Sequence, residues 1–203
     1  MDRPFSSEEQ ELIRSAIKRK YQHVARQSAD GLFACRTGSK GAVALGYDPG
    51  LLDRLPDDAL ESFCGVGNPF SISPSAEGSA VLDVGCGAGF DLLVARQIVG
   101  SRGRVSGVDL TRDMVKKALT ILERFGDERI AVQHISSEEM PYDDESFECV
   151  ISNGVFNLSP FKLVLFKEIW RVLKPQGILQ FADVCLAGEK NTNRVSSPDD
   201  WAQ

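Results

Sequence analysis

Residues 81–91 read VLDVGCGAGFD, and this stretch constrains the fold more than any other part of the chain. A short apolar strand leads into a glycine-rich loop and then into a helix whose apolar residues recur with helical spacing over 91–99. Asp91 stands where a helix N-terminus favours negative charge. Because glycines let a backbone turn sharply and approach a ligand closely, this order predicts a nucleotide-type binding turn.

The spacing of the glycines narrows the kind of ligand. Gly85, Gly87 and Gly89 form G-x-G-x-G, since Phe90 stands where the G-x-G-x-x-G of dinucleotide enzymes would place its last glycine. No Gly-Lys-Ser/Thr follows, so the loop is not a P-loop. This spacing, together with the lack of an acid/base pair for hydride transfer, argues against an NAD-type oxidoreductase.

Two acids follow the first two strands. Asp83 lies at the end of the first strand, where a carboxylate can receive a ligand ammonium. Asp109 ends the second strand, 104–109, and suits a pair of ribose hydroxyls.

From residue 80 onward the pattern alternates between strands and helices. Strands are predicted at 80–84, 104–109, 130–135, 147–152 and 178–184, and helices at 91–99, 111–125 and 161–173. Thr111 is expected to cap its helix and Gly126 to end it, while Ser159 and Pro160 open the last helix. The alternation predicts an α/β fold, a Rossmann-like three-layer sandwich with a mostly parallel sheet, whose ligand binds at the carboxyl ends of the strands.

The segment before the sheet is less regular. Ser6 followed by Glu9 is a capping-box signal for a helix running to about residue 28, which either packs on the domain or acts as a lid. A short helix is predicted over 48–54, and 63–70 reads as an ordered loop beside the site. We therefore divide the chain into an N-terminal helix and irregular lid or substrate segment (1–79), a ligand-binding domain (80–186) and a polar tail (187–203).

Composition excludes several classes of partner. The net charge is −6 and no basic run occurs, which argues against non-specific nucleic-acid binding. The sequence contains no run of about 18 apolar residues, so no membrane span is predicted. The N-terminus is polar and does not resemble a signal peptide, so a cytoplasmic location is expected. The five cysteines form no CxxC pair and are expected to be reduced thiols rather than disulfides or metal ligands. The acids at 143–145 are expected to form a solvated turn, with no metal.

The motifs resemble those of class I S-adenosylmethionine-dependent methyltransferases. The resemblance rests on VLDVGCGAGFD, GVDLT, SSEEMPYDDESFECVISN and FKEIWRVLKPQGILQFADV, and covers roughly 78–185. It implies S-adenosylmethionine as cofactor, a loop that cradles the methionine part, and Asp109 on the ribose. Adenine contacts would come from Leu110, Ser137 and Glu138. The implied cofactor-binding residues are Asp83, Gly85, Cys86, Gly87, Gly89, Asp109, Leu110, Ser137, Glu138 and Asn153.

A narrower resemblance is to arsenite methyltransferases, carried by YQHVA at 21–25, ALGY at 44–47, GVGNP at 65–69 and ISNGVFNLSP at 151–160. That family binds trivalent arsenic through cysteine thiolates. This chain has Val66 and Gly154 at two of the family's cysteine positions, and neither residue can bind arsenic. Cys35, Cys64 and Asn157 remain as candidate substrate residues, and no catalytic base is assigned.

The roles of the two histidines and the end of the sheet allow more than one interpretation. His134 lies in a predicted strand and is interpreted as structural, and His23 is a weak base candidate. After Asp183 no convincing strand follows, so the C-terminal edge strands of class I methyltransferases are expected to be missing. The chain is then a fragment, a shortened relative or a protein that completes its sheet by pairing, for example as a homodimer through the open edge. A small-molecule methyltransferase is the first hypothesis, and a non-catalytic cofactor-binding protein, either degenerate or regulatory, is the second.

Overall fold

A computed structural model describes residues 5–26, 36–73 and 75–185. Five parallel strands form one sheet in the order β3-β2-β1-β4-β5. The strands are β1 Ala80–Val84, β2 Arg104–Asp109, β3 Ile130–His134, β4 Phe147–Asn153 and β5 Leu173–Ala182. The helices are α1 Ser7–Arg26, α2 Gly38–Ala44, α3 Pro49–Leu52, α4 Asp57–Glu61, α5 Phe90–Val99, α6 Arg112–Phe125 and α7 Lys162–Val172.

Alternate side chains of the strands fill two cores, one on each face of the sheet. Val81 and Val105 pack in one cluster with residues of α5 and α6, while Leu82 and Val150 pack in a second cluster with residues of α7. The residue period of two along each strand sends neighbours to opposite faces. Helices on both faces make the three-layer α/β sandwich that the strand–helix alternation predicts, and the Rossmann-like fold is confirmed.

Helix α1 begins with the predicted capping box. The Glu9 amide donates to Ser6 Oγ at 3.2 Å, and the Ser6 amide donates to Glu9 Oε2 at 2.7 Å. Ile13 and Ile17 pack against Leu158, which follows β4. The predicted end near residue 28 lies outside the described residues.

The segment 36–73 holds more regular structure than the sequence predicted. Three short helices (α2, α3 and α4) replace the single helix expected over 48–54, and a 3-10 turn covers Pro69–Ser71. Short polar and glycine-rich helices carry weak periodicity, which explains the omission. Tyr47 and Phe63 from this segment are buried in the same core cluster as Phe90 of α5.

Of two predicted helix starts, that of α7 is wrong and that of α6 is confirmed. Helix α7 begins at Lys162 and its N-cap is Phe161, not the predicted Ser159. Ser159 lies two residues before this N-cap, and its Oγ accepts a hydrogen bond from the Phe161 backbone amide at 3.0 Å. Thr111 holds the N-cap position of α6, as predicted, although its side chain makes no cap hydrogen bond. Its backbone amide donates to Asp109 Oδ1 at 2.7 Å, which ties the start of α6 to the acid that ends β2.

Strand β5 starts earlier than predicted. Leu173 pairs with Phe147, and the register then jumps so that Ile178 pairs with Cys149. The predicted break at 174–177 is therefore an irregularity inside the strand, with Gln176 at a φ of 66°. Within the described residues, β5 pairs with β4 alone, so its other edge is open. None of the helices in the described ranges is long and apolar enough to cross a membrane.

Candidate cofactor-binding site

A pocket opens at the carboxyl ends of β1, β2 and β4. Its walls come from the glycine loop, the turns after β2 and β3, the 62–65 loop and one face of α1. The lining includes Ile17, Tyr21, Cys64, Gly65, Asp83, Gly85, Cys86, Gly87, Asp91, Asp109, Leu110, Met114, Ser137, Glu138, Asn153 and Gly154. The structure thus brings together all the predicted cofactor residues except Gly89, which lies behind the loop as the N-cap of α5.

The glycines of the loop differ in how much space a side chain would have at each position. All have positive φ, at 76° for Gly85, 52° for Gly87 and 90° for Gly89. A Cβ on Gly85 would lie 2.4 Å from Val155 Cγ2, so that position has no room for a side chain. A Cβ on Gly87 would meet nothing within 4 Å. The backbone at Gly87 therefore faces open space in the pocket wall, where a ligand can approach it.

Asp83 is the most deeply buried acid of the pocket, at 2% exposure. Burial raises the pKa of this carboxyl well above its ordinary value, and the neighbouring carboxylates of Asp91 and Asp109 raise it further. No residue in the described ranges donates a hydrogen bond to it. A buried acceptor aimed into a pocket without a partner fits a ligand that brings its own donor.

Asp109 shapes the glycine loop. Its Oδ2 accepts a hydrogen bond from the Gly87 amide at 2.9 Å, while Oδ1 accepts from the Thr111 amide. Burial raises the pKa of Asp109, and these backbone donors partly offset the rise. Each carboxylate oxygen retains a lone pair, so the side chain can still accept from ribose hydroxyls.

Glu138 holds helix α1 against the pocket. Its Oε2 accepts from Arg14 Nη2 at 2.7 Å and its Oε1 accepts from Ser159 Oγ at 3.1 Å. The Arg14 guanidinium also lies 4.5 Å from the centroid of the Phe161 ring. Because Ile17 of the same helix lines the pocket, α1 packs on the domain beside the site, and its role as a lid stays a prediction.

Both the oxygen and the nitrogen of the Asn153 side-chain amide form hydrogen bonds, to the 65–67 loop and to two side chains beside it. Its Oδ1 accepts from the Val66 amide at 2.8 Å and the Gly67 amide at 3.1 Å. Its Nδ2 donates to Gly67 O at 2.9 Å, to Tyr47 Oη at 3.1 Å and to Asp91 Oδ2 at 3.1 Å. The side chain thereby fixes this loop over the carboxyl end of β4.

Sequence reasoning missed two members of this network. The Tyr47 hydroxyl donates to Asp91 Oδ1 at 2.6 Å, and the ring packs edge-on against Phe63 and Phe90. Tyr47 belonged to the ALGY string and Asp91 to the glycine-loop motif, so both carried a signal. Arg14 is the third omission, and an arginine inside an ordinary amphipathic helix carries no comparable signal.

The cysteines divide by position. Cys86 is buried in the glycine loop, and burial raises the pKa of its thiol, which makes it a packed residue rather than a nucleophile. Cys149 is buried in the core, as its strand position predicts. Cys64 lines the pocket and is half-buried, whereas Cys35 lies outside the described residues.

Asn157 and His134 lie apart from the pocket lining. The Asn157 backbone amide donates to Asp183 Oδ2 at 2.9 Å. The side-chain oxygen of Asn157 is buried without a hydrogen-bond partner among the described residues. Desolvation, followed by the charge of Arg112, lowers the pKa of His134. His23 is exposed on the last turn of α1.

Val66 and Gly154 lie next to each other. A Cβ placed on Gly154 would be 3.4 Å from Val66 Cγ1. The two positions that carry cysteines in arsenite methyltransferases, by the resemblance above, are thus adjacent at the pocket rim, and here they present an apolar contact instead of two thiols.

The fold and the site together define a class. A parallel sheet in the order β3-β2-β1-β4-β5, a G-x-G-x-G loop after β1 and an acid after each of β1 and β2 are the features of class I S-adenosylmethionine-dependent methyltransferases. The family model described as a methyltransferase domain matches residues 75–201, and the chain belongs to this family. The family's cofactor is S-adenosylmethionine, and the open space at Gly87 and the unpartnered Asp83 carboxylate fit it.

The similar proteins include several arsenite methyltransferases. That of Halobacterium salinarum is 34% identical over 187 residues, which are 86% of this chain and 48% of the relative. That of Mus musculus is 33% identical over 189 residues, 88% of this chain and 49% of the relative. The chain thus spans about half the length of these relatives. The crystal structure of an arsenic(III) S-adenosylmethionine methyltransferase from Chlamydomonas reinhardtii superposes with a TM-score of 0.61 and 35% identity, covering 68% of this chain and 50% of that one.

Proposed function

We propose that this protein transfers a methyl group from S-adenosylmethionine to a small-molecule acceptor, in the manner of the arsenite methyltransferases it resembles. The observation that carries the proposal is a single pocket that contains the glycine loop, Asp83, Asp109 and the 137–138 turn. These groups offer a carboxylate for an ammonium, acceptors for ribose hydroxyls and an apolar wall at Leu110 for an adenine ring.

The chemistry asks the protein mainly to align two groups. When bound, S-adenosylmethionine supplies a methyl group that its positive sulfur already activates. The protein then orients donor and nucleophile in line and excludes water, and α1 and the 62–65 loop cover the pocket for that purpose. A thiolate, arsenic or carbon nucleophile needs no general base, which accords with the absence of a histidine from the described pocket lining.

The residues on the acceptor side of the pocket favour a substrate other than arsenite, because arsenite in the related family is held by cysteine thiolates that this side of the pocket lacks. Val66 and Gly154 supply no sulfur, and Cys64 is the one cysteine besides Cys86 among the described lining residues. We propose Cys64 as a substrate-side residue, together with Cys35 and Asn157 as weaker candidates. Assays with arsenite and the methyl donor are expected to give little or no methylated arsenic, and robust turnover would show that Cys35 and Cys64 suffice.

Binding of the product tests the cofactor half directly. Calorimetry with S-adenosylhomocysteine is expected to show one site, and Asp109→Ala is expected to weaken it, because the change removes the ribose acceptor and frees the Gly87 amide. Asp57→Asn, an exposed first-turn acid of the short helix α4, is the matched control and should bind normally. Failure of the unaltered chain to bind would refute the proposal.

A second candidate is a non-catalytic protein that binds the cofactor, which the adjacent Val66 and Gly154 favour. A homodimer through β5 belongs to the same proposal, because Ile178 and Phe181 of that open-edged strand are 50% and 44% exposed. Light scattering with size exclusion is expected to report a dimer in that case, and a clean monomer would contradict it. A cytoplasmic location is likewise proposed, supported by the free thiols of Cys86, Cys149 and Cys185.

A further inference from the structure

One dipeptide in the pocket wall is chemically unstable. Asn153 is followed directly by Gly154, and this is the one Asn-Gly pair in the sequence. An asparagine side chain can be attacked by the backbone nitrogen of the next residue, and a glycine there has no side chain to hinder the approach. Both residues are half-buried and line the pocket, so the pair lies within reach of solvent rather than in the core.

We propose that Asn153 is a site of spontaneous deamidation, and that the 65–67 loop controls the reaction by holding the pair in an unreactive arrangement. The Gly154 backbone nitrogen gives its proton to water or hydroxide and bonds to Asn153 Cγ, while the Cγ–Nδ2 bond breaks and Nδ2 takes up a proton and leaves as ammonia. Water then opens the cyclic imide at either carbonyl carbon, which leaves aspartate or isoaspartate at position 153. The reaction needs only residues of this chain and water, and it is independent of the proposed function.

Both reacting groups are held in the folded protein. The Gly154 amide donates to Ala182 O at 2.8 Å, so the attacking nitrogen is engaged in a backbone hydrogen bond to β5. Asn153 Oδ1 accepts from the Val66 and Gly67 amides, and Nδ2 donates to Gly67 O at 2.9 Å. Asn153 also pairs with Ala182 in the β4–β5 ladder, which keeps its backbone extended. The side chain must leave these partners before Cγ can meet the Gly154 nitrogen.

The 65–67 loop is the part of this arrangement that opens without unfolding the sheet. Three of the five side-chain hydrogen bonds of Asn153 go to the loop, and the other two go to Tyr47 and Asp91. A Cβ on Gly67 would lie 2.4 Å from Ala182 Cβ, so the loop rests directly on the residue that accepts from the Gly154 amide. Local openings of this kind cost less free energy than global unfolding.

Deamidation would reverse the chemistry at the Nδ2 position. That atom donates to Gly67 O, to Tyr47 Oη and to Asp91 Oδ2, the last at 3.1 Å. A carboxylate oxygen in its place would repel the Asp91 carboxylate and find no donor on Gly67 O. Isoaspartate would also add a methylene to the backbone of β4 where Asn153 pairs with Ala182. Modified molecules therefore lose the anchor of the loop and do not return to the original state.

Peptide mass spectrometry after incubation at alkaline pH tests the site. Trypsin leaves Asn153 and Asn157 in one fragment, 130–162, so Asn157, which precedes a leucine, is the control within the same peptide. In guanidinium chloride, Asn153 is expected to gain the mass of deamidation well before Asn157. In the native chain the reaction at Asn153 should be at least about a hundredfold slower, because only the open fraction reacts. Equal rates in the native and unfolded chains would refute control by the fold, and no reaction in guanidinium chloride would refute the site.

Two variants decide whether the loop or global unfolding exposes the pair. Gly67→Ala drives a Cβ into Ala182 and lifts the loop, so it should raise the native-state rate at Asn153 at least about tenfold. Gly103→Ala is the matched control, because its Cβ would lie 2.3 Å from Val99 Cγ2, before the amino end of β2 and away from the loop. The control should leave the rate within about threefold of that of the unaltered chain. Equal acceleration by both variants would overturn control by the loop.

Hydrogen exchange of the unaltered chain gives a check that needs no variant. The Val66 and Gly67 amides are freed from Asn153 by the same opening, so their protection should match that of the Asn153 reaction within about tenfold. If these amides exchange only on global unfolding while Asn153 reacts in the native chain, the loop does not control the reaction. This comparison also decides the question if Gly67→Ala does not fold.

Discussion

Alanine at two neighbouring glycines of the same loop should separate stability from binding. Gly85 and Gly87 have φ values of 76° and 52°, so either alanine adopts a left-handed backbone at a cost of about 1–2 kcal/mol. Only Gly85 lacks space, because its Cβ would lie 2.4 Å from Val155 Cγ2. Overpacking of this kind costs about 1–3 kcal/mol more. Gly85→Ala should therefore destabilise the fold by about 2–5 kcal/mol in total, and Gly87→Ala by about 1–2 kcal/mol.

Binding should show a different pattern. The Cβ of Gly87→Ala enters the pocket beside an amide that Asp109 already orients, so affinity for S-adenosylhomocysteine should fall although most of the stability remains. Urea unfolding followed by circular dichroism gives the stabilities, and calorimetry gives the affinities.

The double variant Gly85→Ala/Val155→Ala gives the control for the steric argument. It removes the clash, so it should regain at least about 1 kcal/mol relative to the sum of the single changes. Equal stability losses at Gly85 and Gly87, or additivity in the double variant, would refute the reasoning.

Three further changes test other parts of the structure. Asp127→Asn should cost about 3 kcal/mol in urea unfolding at pH 7, because the buried Arg96 loses the carboxylate that neutralises its charge, although its hydrogen bond to the Gly100 carbonyl remains. Arg129 lowers the pKa of Asp127, so the stabilisation is present above about pH 4 and fades as pH falls below it, and an unchanged stability profile at acidic pH would contradict this. Arg14→Met should destabilise the fold by about 3 kcal/mol, since it leaves the carboxylate of Glu138 buried beside one hydroxyl, and Glu138→Gln in the same background should restore part of the loss. Asp91 has a pKa raised to about 6, so the unliganded protein should lose stability as pH rises from about 4 to 6, by up to about 3 kcal/mol, and Asp91→Asn should flatten that slope in pH-dependent unfolding.

Long, strongly patterned elements were predictable from the sequence. Strand β1 and strand β2 have the predicted bounds, and α6 ends at Gly126, whose φ of 72° is the left-handed conformation expected of a helix-ending glycine. The glycine loop, Asp83 and Asp109 lie together because carboxyl ends of neighbouring parallel strands meet at one edge.

What the sequence left open depends on contacts between distant residues. Asn153 was expected to face the cofactor at the end of β4, yet the fold directs its side-chain amide to a loop 86 positions earlier. Arg14 meets Glu138 across 124 positions, and nothing local to either residue indicates the pair. The start of α7 was misplaced for a related reason, since Ser159 shares its hydroxyl between the Phe161 amide and Glu138.

The position of β1 in the centre of the sheet has a consequence for how the protein acquires its site. β1 pairs with β2 on one side and with β4 on the other, and Ser152 Oγ of β4 donates to Val84 O across 68 positions. Contacts of such high sequence separation form late and slowly in folding, because a long loop must close first. The pocket draws on β1, β2 and β4 at once, so a partly folded chain has no binding site. Only native molecules therefore bind the ligand. Added ligand should lower the unfolding rate far more than it raises the folding rate.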